Sequence, residues 1–147
     1  MRVLILVAAL LLAACSSKVA PTPAPSSGDL VLPTTVPNGR VEIVMKPSYP
    51  NGRDVTVTVR LIPTSGTLRG PLDPYVQASG FSGTRIVKHL APLPSTATAT
   101  QAADAQLLWD TTDDAGRPVP ADDYSLVLAV LDDQGRRTMV GATITLR

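Results

Sequence analysis

The chain has 147 residues, with 13 Lys+Arg against 12 Asp+Glu, one His and a formal net charge of +1. Its longest positive run is Arg136-Arg137, so no basic block marks a nucleic-acid surface. One Trp, one Phe and three Tyr are too few for a base-stacking platform.

The chain opens MRVLILVAALLLAAC. Arg2 is a short positive leader, and residues 3–14 are an unbroken apolar run. Such a run fits a signal h-region and falls short of the ~20 apolar residues that span a bilayer as a helix. It ends in Leu12-Ala13-Ala14-Cys15, which resembles a bacterial lipobox: a branched apolar residue, two small ones, then cysteine. The resemblance implies that the Cys15 thiol carries a diacylglyceryl group and that cleavage precedes it. The alternative is an ordinary secretory signal in which Cys15 is incidental. Cys15 is the single cysteine, and a lone thiol in a secreted protein invites intermolecular pairing. Lipidation would remove that liability and leave stability to the core. One acyl chain holds weakly, whereas two or three anchor firmly. Ser16 follows the cysteine. In the lipoprotein sorting pattern of diderm bacteria, Ser at that place resembles the outer-membrane class. Without Arg2 the chain carries 12 basic and 12 acidic residues, an even balance.

The next stretch, SSKVAPTPAPSSGDLVLPTTVP (16–37), is rich in Pro, Ser, Thr and Ala and poor in large apolar residues. Residues 15–37 therefore read as the lipidated cysteine and a flexible linker. Alternating prolines favour an extended spacer, and twenty-odd residues at about 3.1 Å each would hold a domain roughly 60–70 Å from the lipid. The division is thus 1–14 signal peptide, 15–37 linker, and 38–147 one domain with one core.

Within that domain Asn38-Gly39 marks a turn, and RVEIVMK (40–46) alternates apolar and polar residues except at Val44. After the break at 47–52 comes DVTVTVRLI (54–62), the clearest strand, with Val55, Val57, Val59 and Leu61 on one face. The two should form an antiparallel pair. Residues 63–83, punctuated by three prolines and four glycines, read as a loop with 75–81 as a weak strand or insertion. A short strand is expected at 84–90 and a mobile low-complexity loop at 91–103. Further strands are expected at 106–109, at 124–131, apolar on both faces and so central in its sheet, and at 137–146. Asp132-Asp133-Gln134-Gly135 is a hairpin turn with Gly135 supplying positive φ. No segment after the linker shows a helical period, so the fold class is all-β, an antiparallel β-sandwich.

The stretch WDTTDDAGRPVPADDY (109–124) holds five aspartates. A calcium loop starting at Asp110 would need its closing acid at position twelve, where Ala121 stands. Asp110, Asp113 and Asp114 remain weak candidates for an ion, and no metal or other cofactor is expected. An acid/base site needs two carboxylates facing across a cleft. These sit beside Gly116, Pro118 and Pro120, on a connection that belongs at the surface. The single His89 reads as a surface or edge residue, and no nucleophile set accompanies the acids. A structural role accounts for each residue. Residues 113–116 make a turn with Gly116 at positive φ. Val119 can plug the sandwich end, and Trp109 and Tyr124 can close the same end of the core.

The arrangement of Trp109, Asp110, Asp114, Gly116, Val119, Pro120 and Tyr124 resembles the immunoglobulin-like domain found in the flagellar hook-capping protein and reused in bacterial envelope proteins. The likeness runs over 83–146, strongest at 109–124. Two departures stand out: Thr111 replaces the Gly after Trp-Asp, and Asp122 stands where a second Gly is usual. A similar arrangement occurs in intracellular protease-inhibitor-like bacterial domains. The resemblance implies an immunoglobulin-like sandwich and brings no catalytic residue.

Together these readings lead to an expectation of a non-enzymatic, lipid-anchored envelope protein. It would bind the membrane through Cys15 and an envelope protein through its edge strands and 63–83. The alternatives are an inhibitor or chaperone-like module acting on another protein, and a calcium-dependent binding domain.

Overall fold

A computed structural model describes residues 26–80 and 83–147. The lipobox residues Leu12, Ala13, Ala14 and Cys15, with Ser16 and the signal-peptide reading, lie outside the described residues. Among those described there are nine strands and no helix.

The strands are β1 Leu30–Val36, β2 Gly39–Met45, β3 Val55–Pro63, β4 Thr67–Gly80, β5 Gly83–His89, β6 Ser95–Thr98, β7 Ala103–Trp109, β8 Asp123–Asp132 and β9 Arg137–Thr145. They form two sheets, one ordered β1-β2-β3-β7 and the other β5-β4-β8-β9, with β6 also paired to β4. Every strand pairing is antiparallel. The sheets face each other across a single core, which makes the domain an antiparallel β-sandwich.

The core follows from period-two patterning. On β3, Val55, Val57, Val59 and Leu61 are buried, and Thr56, Thr58 and Arg60 alternate with them on the other face. Val41, Ile43 and Met45 of β2 lie on the same inner face. Opposite them β8 contributes Tyr124, Leu126, Leu128 and Val130. β8 lies between β4 and β9, and on its outer face Ser125, Val127 and Leu131 are half-buried while Ala129 is fully buried. Each fully buried Val or Leu side chain contributes about 1.5–3 kcal/mol.

Three parts of the chain depart from the sequence reading. Leu30–Val36, assigned there to the linker, is β1, so the sandwich begins well before residue 38. Pro33 misled the reading. It lies on an outermost strand, where a missing N–H leaves no ladder bond unmade. Residues 63–83, read as a loop, are largely β4, the longest strand of all. Its pairing with β8 shifts register between Arg69 and Leu72 and again between Leu72 and Tyr75. Those irregularities accommodate Pro71 and Pro74 while the strand continues. Most of 63–83 is therefore a strand interior to its sheet and not a loop. Lastly, 91–103 is not wholly a loop, because β6 pairs with β4 from Thr67↔Thr98 to Gly70↔Ser95.

Candidate functional site

The stretch 109–124 is the crossover between the sheets. It leaves β7 at Trp109 and enters the other sheet at β8. The two rings at its ends meet edge to face, with centroids 5.2 Å apart and planes at 70°. Trp109 is buried, and its indole N–H donates to the Thr112 carbonyl at 2.9 Å. The Tyr124 hydroxyl donates to the Pro120 carbonyl at 2.8 Å. Val119 joins the core cluster between them, and its N–H donates to the Thr111 carbonyl at 3.0 Å. The loop thus plugs one end of the sandwich, and both buried ring donors bond to its backbone.

The loop's interior is a tight turn. The Gly116 N–H donates to the Asp113 carbonyl at 2.9 Å, and Gly116 has φ 75°. Thr111 stands where the resembling family carries glycine, and it takes φ 55° with its side chain buried. A β-branched residue is strained there. Asp122, at the other departure, needs no such conformation.

The five carboxylates do not converge. Asp110 accepts from the N–H and hydroxyl of Thr112 and lies 3.6 Å from the Lys88 ammonium. Asp113 accepts from the N–H groups of Ala115 and Arg117 and from the Arg117 guanidinium. Asp122 accepts from the N–H of Asp123, and Asp123 from the Thr145 hydroxyl at 2.6 Å. Among the described residues no three His, Cys, Asp or Glu side chains form a set that could hold a metal ion.

Asp114 acts outside the loop. Its N–H donates to the Val87 carbonyl at 2.9 Å, and its carboxylate accepts from the His89 N–H at 2.9 Å and from His89 Nδ1 at 2.7 Å. Since a carboxylate only accepts, Nδ1 carries the proton. Lys88 donates to the Thr112 hydroxyl and the Asp113 carbonyl. Asp114 therefore fills the place of a partner strand along the end of β5, an outer strand. The sequence reading placed His89 at a surface or edge, and the structure finds it there. It missed the pairing of the loop with 87–89, which brings together segments 25 residues apart.

These bonds hold carboxyl groups below their ordinary value of 3.8. For Asp110 the main cause is the Thr112 hydroxyl, and for Asp113 the Arg117 N–H. For Asp114 it is the His89 N–H. At the β8–β9 hairpin, burial works against ionisation of Asp132, but donors from Arg136 and Gln134 outweigh it. A depressed folded-state pKa contributes stability that is present above the unfolded value and lost as pH falls through the folded one. The melting temperature is therefore expected to hold level from about pH 7 to pH 5 and to fall below about pH 4. Scanning calorimetry across that range checks it, and a melting temperature that rises on acidification refutes it.

The fold is that of an antiparallel β-sandwich whose end is closed by an Asp-rich crossover. No protein-family model and no curated protein matches the sequence. Among solved structures, dimeric latent PorU from Porphyromonas gingivalis is similar at a TM-score of 0.37 and 18% identity. The match covers 84% of this chain and 13% of that one.

Proposed function

We propose that this protein is a lipid-anchored component of the cell envelope whose immunoglobulin-like sandwich binds or scaffolds other envelope proteins without chemistry of its own. The observation that carries the reading is Leu12-Ala13-Ala14-Cys15 closing an apolar run, with Cys15 the single cysteine. The aspartate crossover supports it. Its acids are engaged in turns, in ion pairs and in capping β5, which accounts for them as architecture. Ser16 points to the outer membrane where the cell has two.

Labelled palmitate is expected to enter the wild-type chain and not Cys15→Ala, and the variant is expected to leave the membrane fraction. Equal labelling of both forms would remove the anchor from this reading. Crosslinking in intact cells is expected to recover a discrete partner from the wild type that the variant loses. If neither form recovers a partner, the binding role fails.

A further inference from the structure

The chain has two asparagines, and both stand in the same four residues: Pro37-Asn38-Gly39-Arg40 and Pro50-Asn51-Gly52-Arg53. An asparagine followed by glycine can react with its own main chain, because the next residue has no side chain to crowd the attacking nitrogen. With the local sequence identical, only the fold can make the two sites differ. Asn38 is held by side chain and main chain alike. Its Nδ2 donates to the Asp133 carboxylate, and its Oδ1 accepts from the Arg136 guanidinium at 3.4 Å. Its carbonyl accepts from the N–H groups of Thr64 at 2.8 Å and Ser65 at 3.3 Å. Gly39 pairs with Val36 and packs so closely on β3 that a Cβ would meet the Ile62 carbonyl. Any ring closure at Asn38 must first break its bonds to the β3–β4 turn and the β8–β9 hairpin.

Asn51 is exposed, on the connection between β2 and β3. The Arg53 N–H donates to the Pro50 carbonyl at 3.2 Å, and Gly52 has φ 74°, so Asn51 and Gly52 are the central residues of a turn. The Gly52 N–H donates to Asn51 Oδ1 at 3.1 Å. Since an N–H only donates, the atom facing it is the amide oxygen. Among the described residues the Asn51 side chain makes no other hydrogen bond. Nothing lies within 4 Å of a Cβ placed on Gly52, so the space beside the turn is open. The side-chain carbonyl of Asn51 thus already lies along the nitrogen that would attack it.

We infer that Asn51 is a site of spontaneous deamidation and that the fold shields Asn38 from the same reaction. The Gly52 nitrogen gives its proton to solvent and bonds to Asn51 Cγ. The Cγ–Nδ2 bond breaks, and ammonia leaves with a proton taken back from solvent. The product is a five-membered succinimide ring. Water then opens the ring at either carbonyl, giving aspartate or isoaspartate, and nothing is oxidised or reduced. In isoaspartate the main chain runs through the former side chain. That change falls beside a seam between the sheets, where the Tyr49 N–H donates to the Thr145 carbonyl at 2.9 Å and the Asn51 N–H to the Arg147 carbonyl at 2.8 Å. The reaction adds a negative charge there and lengthens the turn. It depends on neither the lipid anchor nor the binding role.

The test keeps the full chain in detergent at mildly alkaline pH, which favours loss of the attacking proton, and follows both sites by mass spectrometry. Trypsin cleavage after Arg40 and Arg53 puts the two asparagines on separate peptides. Asn51 is expected to react about tenfold faster than Asn38 or more, since one hydrogen bond broken before reaction is worth about that factor. In urea the identical tetrapeptides are expected to react at equal rates. Isoaspartyl methyltransferase is expected to label the aged chain at residue 51. Gly52→Ala crowds the attacking nitrogen on an exposed turn, and it is expected to slow Asn51 several-fold while leaving Asn38 unchanged. Equal rates in the folded chain, faster reaction at Asn38, or no reaction at Asn51 overturns the inference. So does a difference that persists in urea, which would trace it to the flanking sequence and not to the fold. An unchanged rate at Asn51 in Gly52→Ala refutes attack by the Gly52 nitrogen.

Discussion

Trp109→Ala is expected to cost the sandwich about 3–5 kcal/mol, the range for removing a buried Trp or Phe. Trp109 is 1% exposed, packs edge to face on Tyr124 and holds the crossover through its bond to Thr112. The aromatic contact alone is worth about 0.5–1.5 kcal/mol, and the indole bond about 1 kcal/mol more. Because the loop's position also sets Asp114 on β5, its loosening should speed amide exchange at His89. Urea unfolding followed by circular dichroism checks the first effect, since the variant lacks the chain's one tryptophan. A loss below about 1.5 kcal/mol would mean that the ring does not close the core.

The second large effect is expected at Gly39, the first residue of β2 after its turn from β1. It has φ 156°, and a Cβ there would run into the Ile62 carbonyl and lie 2.7 Å from the Pro63 Cα. Those atoms are backbone of the neighbouring strand and cannot rotate aside. Overpacking of this kind costs about 1–3 kcal/mol, and backbone strain adds about 1–3 kcal/mol, so Gly39→Ala should lose about 3 kcal/mol. Gly52→Ala is the control. It has φ 74° with nothing within 4 Å of the added Cβ, so it should lose only the strain, about 1 kcal/mol. Equal losses at both sites would show that β2 and β3 do not approach as closely as the register implies.

The sequence reveals most where one local rule decides the outcome. Alternating valines specify β3, and apolar residues on both faces place β8 inside its sheet. Asn38-Gly39 and Gly135 mark two hairpin turns, and Gly135 has φ 75°. The reading fails where neighbours override local rules. Pro33 sits on an outermost strand, and Pro71 and Pro74 sit at register shifts, so these prolines did not end the strands carrying them. β6 is four residues of Ser, Thr and Ala whose pairing depends on β4 alone. At the crossover, the turn residues and the two closing rings were legible. The capping of β5 by Asp114 was not, because it joins two elements with no shared local pattern.

Where β1 begins fixes a length. If Cys15 is held at the lipid surface, fifteen peptide steps separate it from Leu30, where the chain joins the sheet. Even fully drawn out, those steps reach no more than about 54 Å. On that condition the chain between anchor and sandwich would act as a ruler, setting a ceiling on the height of Leu30, the point where the sandwich begins.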